Sequence, residues 1–479
     1  MRDARRSSIR VSPGGAAGER GGRAPRIPPG PSCMLQIHDD AGHEDTPLEG
    51  KLDRRDAEHL VRRTGFGLRS QQVEELLGLT RSQAVDRIMD FSANPPASPP
   101  AVVFNEEESR WSQIRDLTRW WINRMQTVPR GLEEKLVLFW HSHFASSADS
   151  VSYAWQTWDQ NKLFRDQALG NFGDLAHAMS VQPAMLTYLD NYRNKAGNPN
   201  ENFARELFEL HILGVGNYTE ADIVGSAKAW TGHMLSEDRR NYEFHPWHHD
   251  YRDKTIFGIT RDWDGPAIID EVLRGSKKLP AARYLARKLF EYLAYQGPDE
   301  AVVATLADYY LANDLSIGLL VRAILLHDEF WSERARFAYV RSPVEYAVAC
   351  LIGAGSSQEE SRPDWWLDTM GQELFYPPNP SGWHLNGYWI SATSMWAKAG
   401  FARHVAWKAV DRDHLAEILT MGAPQAVSLV LSFFGLPEVS TATRRALEDY
   451  VYAERATDEW PLHANLLTLV MLTPEMQLA

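Results

Sequence analysis

The segment NPNENFARELFELHILGVGNYTEAD, residues 198–222, holds the spacing in this chain best suited to chemistry. Asn198, Pro199 and Asn200 form a turn, and Asn200 is placed to cap a helix over 202–213. On that helix Asn202, Glu206 and Glu209 recur at i, i+4, i+7, with Glu201 and Arg205 beside them. Side chains at such spacings are neighbours, with Cβ atoms roughly 5–6 Å apart. Two carboxylates that close on a buried face either hold a cation or repel until one pKa rises, which suits acid/base work. The bland alternative is a solvated face on which Glu201 and Arg205 make a weak i, i+4 ion pair. Phe203, Leu207 and Leu210 form the expected core stripe, and Ala204, Phe208 and Ile212 are apolar as well. Little of this helix is free to face water, so its carboxylates are expected to be buried and to need partners. Asn202, Arg205, Glu206 and Glu209 are the candidate catalytic residues.

Two histidine groups are the candidate metal ligands. KLVLFWHSHF carries His141 and His143 at the end of an apolar run, and HHDYRDKTIFG carries His248, His249 and Asp250, followed by Lys254. A His-x-His pair in extended backbone points both imidazoles to one side. On a regular helix the two diverge by about 200° and cannot share an ion, so one buried and one exposed histidine is the simpler expectation. The 248–254 loop offers an acid, a base and imidazoles on irregular backbone, where functional groups are commonly presented, although local ion pairs on a surface loop explain it equally well. Oxygen and imidazole ligands would suit zinc, manganese or iron. The two cysteines, Cys33 and Cys350, exclude a disulfide framework and a thiolate-rich metal site.

The elements that must position these groups read as helices. Ser70 and Thr80 are expected caps for short helices before a proline-rich break at 95–100. Helical periodicity then runs through 132–144, 155–169, 172–179, 202–213 and 220–230, and returns at 285–293, 300–312, 315–328, 342–352 and after 393. The stretch 236–265 differs, with aromatic and charged residues interleaved, and is expected to hold a short hairpin or ordered loop. FYPPNPSGW (375–383) cannot be helical because of its three prolines; Trp383 either walls a cleft or packs into the core. The expected fold is mainly α: one large multi-helix domain over 51–479, with the irregular insert at 236–265.

The 479 residues are 44% hydrophobic and 24% charged, which is ordinary globular usage, and no apolar run is long enough to span a membrane. Acidic residues outnumber basic ones, 63 to 50, so the net charge of −13 argues against nucleic acid and anionic membranes as partners. Residues 1–33 are the exception, with seven arginines and many glycines and prolines. The head, 1–50, is expected to be disordered and residues 1–33 dispensable, so that a chain beginning at Met34 should melt at the temperature of the full chain; a clear loss of thermal stability would refute this. Without an apolar signal region the expected compartment is the cytoplasm, with export as the alternative if translation starts elsewhere.

Taken together, LVRRTGFG (60–67), KLVLFWHSHF (135–144), the 168–191 and 198–222 segments, AWTGH (229–233), HHDYRDKTIFG (248–258) and PPNPSGW (377–383) resemble the bacterial DUF1800 family. The resemblance spans about 60–475. It carries no established reaction; it implies that a polar set including Asn191, Asn202, Arg205, Glu206, Glu209, His248 or His249, Asp250 and Lys254 is shared, and that a partner protein is conceivable. No phosphate-binding loop, nucleophile elbow, His-Glu-x-x-His or helix-turn-helix signal is present. Two classes of function survive. One is an enzyme with a carboxylate and histidine centre performing metal-assisted or acid/base hydrolysis, its divalent metal unidentified. The other is a binding or assembly protein whose polar cluster fixes helix packing.

Overall fold

A computed structural model describes residues 50–409, 413–455 and 462–479; nearly all of the head lies outside these. Regular structure is almost entirely helical, as the periodicity demands. Helices occupy Leu132–His143, Ala154–Asp166, Phe172–Ser180, Glu220–Ala229, Glu300–Ala312 and Pro343–Ala354, each within a few residues of its expected bounds. Thr80 caps Arg81–Met89 through Gln83 N, with Gln83 returning to Thr80 N. Ser70, by contrast, is the first helical residue of Ser70–Leu76, and Arg69 precedes it without a side-chain cap. Among the described residues, no helix is long and apolar enough to cross a membrane.

The only sheets among the described residues are two antiparallel hairpins. β1 (His233–Leu235) pairs with β2 (Tyr242–Phe244), and β3 (Lys254–Ile256) pairs with β4 (Ile259–Arg261). Three of the four strands lie in the segment read as irregular, 236–265, whereas β1 lies just before it, because its partner β2 draws residues 233–235 into the hairpin. Their shortness reflects the sequence: three-residue strands interrupted by Pro246 and a run of polar residues cannot extend a ladder.

The helices are joined through buried ions as well as apolar packing. Glu134 is wholly buried and lies between Arg165 (2.7 and 2.8 Å), the Trp121 indole N–H (2.8 Å) and Arg124, tying Leu132–His143 to Arg110–Thr127 and Ala154–Asp166. Lys135 pairs with Glu345 of the 343–354 helix, both nearly inaccessible. Arg63, fully buried, donates to the carbonyls of Tyr292, Leu293 and Ala294, where the Lys278–Leu293 helix presents its unpaired C-terminal acceptors. The Glu134 and Lys135 contacts hold the Leu132–His143 helix in one orientation, and that orientation decides where its two histidines go.

Candidate functional site

His141 and His143 diverge because the chain is still helical through His143. His141 points toward the PPNPSGW segment: its Nε2 accepts from Phe375 N at 3.1 Å, and its ring lies 5.1–5.2 Å from those of Trp121, Phe375 and Trp383. Trp383 is buried here and packs with Val340 and Trp389, so it belongs to a small satellite core. Burial lowers the His141 pKa to about 3 and leaves the ring neutral. His143 points the other way, donating from Nε2 to the carbonyl of His211 at 2.8 Å. Both histidines are buried; neither is the exposed member expected on a helix.

The carboxylate segment is α-helical only through Glu206. Leu207–Ile212 forms a π-helical turn, with Leu213 N and Gly214 N both donating to Phe208 O. Such turns are rare and recur at functional sites. The extra residue per turn rotates the inward face: His211 and Ile212 are buried, and Leu210, expected in the core stripe, is only half-buried. Gly214 ends the turn at φ +83°, and any Cβ there would meet the Tyr284 ring at 2.7 Å. Glycine is thus required twice over, by backbone conformation and by space.

This geometry separates the four candidate catalytic residues. Glu206 and Glu209 are half-buried. Burial, reinforced by repulsion from Glu209 and opposed by Arg205, raises the Glu206 pKa above the ordinary glutamate value. Glu209 accepts from the Tyr218 hydroxyl at 2.8 Å, and burial with this bond pushes that phenol up to about 12. Arg205 is engaged elsewhere: it grips Glu220 with two hydrogen bonds (2.7 and 2.8 Å) and reaches Glu201 at 3.4 Å. Asn202 is exposed and donates to Leu189 O at 3.3 Å.

Four residues that the sequence reading missed surround the turn. His211 is buried with its ring 6.2 Å from that of His143, and its pKa falls to about 3 through burial, with Lys288 adding to the effect. Tyr284 donates to Leu210 O at 2.5 Å, and Lys288 donates to the Tyr284 hydroxyl at 3.3 Å. Burial lowers Lys288 to about 8, only partly offset by Glu291. His143 Nδ1 and His211 Nε2 are buried without a hydrogen-bond partner among the described residues. His211 and Tyr218 lay in plain view within the motif; Tyr284 and Lys288 arrive from a distant helix and carried no local signal.

The remaining metal candidates also part company. His248 sits half-buried, while its neighbour His249 turns inward. Asp250 is buried and held by Arg252 through two hydrogen bonds (2.8 and 2.6 Å), which lower its pKa to about 2. Lys254 is likewise committed, donating to Asp262 at 2.6 Å and to Trp263 O at 2.9 Å. Among the described residues, His249 is the one of these three metal candidates that joins a group of ligand-type side chains close enough to share an ion, and its companions are His233 and Asp264, neither singled out by spacing. An asparagine network positions them. Asn194 bonds Ala227 O (2.9 Å), Asn200 N (2.9 Å) and, through its carbonyl, Gly232 N (3.0 Å), while Asn191 donates to His233 O at 2.8 Å.

Fold and site together define a mainly helical protein with a π-turn carboxylate pair and a histidine-rich hairpin region. Residues 59–478 match the family model described as "Protein of unknown function (DUF1800)", and the chain belongs to that family. No curated protein and no solved structure matches it.

Proposed function

We propose that this protein is an enzyme performing hydrolysis or a related acid/base reaction, with the Glu206–Glu209 pair at its centre. The observation that carries this reading is a pair of half-buried carboxylates, Glu206 and Glu209, at a π-turn, where burial and Glu209 raise the Glu206 pKa while the adjacent Arg205 bonds Glu220. Two carboxylates in different environments divide acid and base roles between them. Glu206, holding its proton to higher pH, is assigned as general acid. Glu209, oriented by Tyr218, is assigned as base. Arg205 and Asn202 position this segment and do not react. A divalent zinc, manganese or iron ion held by histidine and carboxylate is the cofactor this reading admits. The acidic net charge favours substrates other than nucleic acid, and the cytoplasm is the compartment proposed.

Glu206→Gln and Glu209→Gln, made separately, keep shape and remove charge. With chromogenic esters, phosphoesters, glycosides and peptides as substrates, each variant is expected to lose about 10²–10⁴-fold in kcat while its melting temperature stays near that of the parent. If the parent is inactive on all four classes, or both variants turn over at the parent's rate, the enzyme reading fails. The second reading, a binding or assembly protein, is favoured by the Arg205–Glu220 pair and by the network of buried Asn191 and Asn194 with half-buried Asn200, which serve packing. It stands if both glutamine variants simply unfold.

A further inference from the structure

We infer that His233, His249 and Asp264 form a binding site for a divalent cation of the zinc class, separate from the Glu206–Glu209 centre. The three residues come from β1, from the loop before β3 and from the N-cap of the Gly265–Arg274 helix. Each offers one ligand atom, and these atoms lie within 4.8 Å of one another. Ligands around a tetrahedral zinc at about 2.0–2.1 Å are spaced about 3.3–3.4 Å apart, so modest side-chain rotation closes the set.

The groups behind the ligands are already in place. His249 Nδ1–H donates to Thr231 O at 2.7 Å, which leaves the lone pair on Nε2. Metal-binding imidazoles are commonly oriented in this way by a backbone carbonyl on the other nitrogen. His233 meets Asp264 Oδ1 with Nε2 at 2.8 Å and the Tyr242 hydroxyl with Nδ1 at 2.9 Å. The tyrosine hydroxyl both donates and accepts, so it can orient the ring after a cation replaces the proton between Nε2 and Asp264. Asp264 is itself held by Gly265 N at 2.9 Å.

Backbone and surroundings support the same site. Gly232, between the two imidazole-bearing segments, has φ +81°, and a Cβ there would lie 2.7 Å from His245 O and 3.1 Å from His249 N. Glycine therefore permits the close approach that brings His233 to His249. Trp230 and Phe244 pack against His233, and Phe244 and Tyr251 against His249, so aromatic rings support both buried imidazoles. The Asp264 side chain is 54% exposed, so the site opens to solvent there. Two imidazoles and one carboxylate are the protein donor set of catalytic rather than purely structural zinc.

The test is titration of Zn(II) and Co(II) into the chelator-treated full chain, followed by equilibrium dialysis and by Co(II) absorption. One ion per chain is expected, with the intense visible bands of four- or five-coordinate cobalt. Asp264→Asn, exposed and still able to cap its helix, should weaken binding at least tenfold. Tyr242→Phe, acting behind His233, should weaken it by about tenfold. His249→Gln should abolish saturation over the same range, and His248→Gln should leave binding unchanged. If His249→Gln does not fold, the Asp264 and Tyr242 variants decide. Absence of saturable binding in the parent, or parent-like affinity in folded Asp264→Asn and Tyr242→Phe, overturns the site. This readout needs no catalytic activity, so it fails or succeeds independently of the Glu206–Glu209 proposal.

Discussion

Replacing Glu134 with alanine is expected to cost ~3–5 kcal/mol of folding stability, because it strands buried cations without their counter-charge. Glu134 is wholly inaccessible and meets Arg124, Arg165 and the Trp121 indole. Burial would push its pKa up, but hydrogen bonds and attraction from Arg165 and then Arg124 outweigh this and hold it below the ordinary value. After truncation Arg124 retains Glu133 and Arg165 retains the Asn161 side chain, which limits the loss without removing it. Glu134→Gln keeps the shape and one acceptor oxygen and should fall between parent and alanine variant. The measurement is the urea midpoint of each variant. A Glu134→Ala midpoint equal to that of the parent would mean that the three-helix junction does not depend on this ion.

Acidification should destabilise the protein steeply between pH 6.5 and about 4.5, before carboxylate protonation becomes important. His59, His141, His143 and His211 are all buried, and burial lowers the pKa of each below 6.5. Below pH 6.5 the unfolded chain therefore takes up protons that the folded chain does not, so stability falls as pH falls. Each such histidine contributes about 1.4 kcal/mol per pH unit once the unfolded form is fully protonated, and four approach about 5 kcal/mol per unit. Against a typical total of about 5–15 kcal/mol, unfolding should set in by about pH 5. Glu134 and Glu345 act in a lower window. Their folded-state pKa values are depressed, so their contribution is present above 4.5 and is lost as pH falls through the folded values. The slope of unfolding free energy against pH checks this. His141→Gln should lower the proton uptake by about one, and a flat profile from pH 7 to 5 would contradict the histidine accounting.

The candidate sites show where local patterning stops being informative. The Asn202, Glu206, Glu209 spacing assumes a uniform helix, and a single π-helical turn changes which residues face inward from Leu207 onward. Nothing in the apolar pattern marked that turn, because Leu207, Phe208 and Ile212 fit either winding. The Glu201–Arg205 contact, read as the bland alternative, is present, but the stronger partner of Arg205 is Glu220, fifteen residues on and beyond any helical spacing rule. His249 was legible as a ligand type, whereas its companions His233 and Asp264 lie in separate segments with no motif spacing between them.

By itself the sequence determined the helical class, the position of the irregular insert, the caps at Thr80 and Asn200, and the membership expected from its ordered polar segments. These follow from short-range physics: side-chain period, capping chemistry and proline restriction act within a few residues of the chain. Only the tertiary structure decided that His141 and His143 serve different neighbourhoods, that Arg205 spends its hydrogen bonds on Glu220, and that His233, His249 and Asp264 converge. Those outcomes depend on helix orientations fixed by Glu134, Lys135 and Arg63, whose partners lie up to 231 residues away. Burial set by such distant packing, and not residue type alone, assigns each titratable group its charge and its partner.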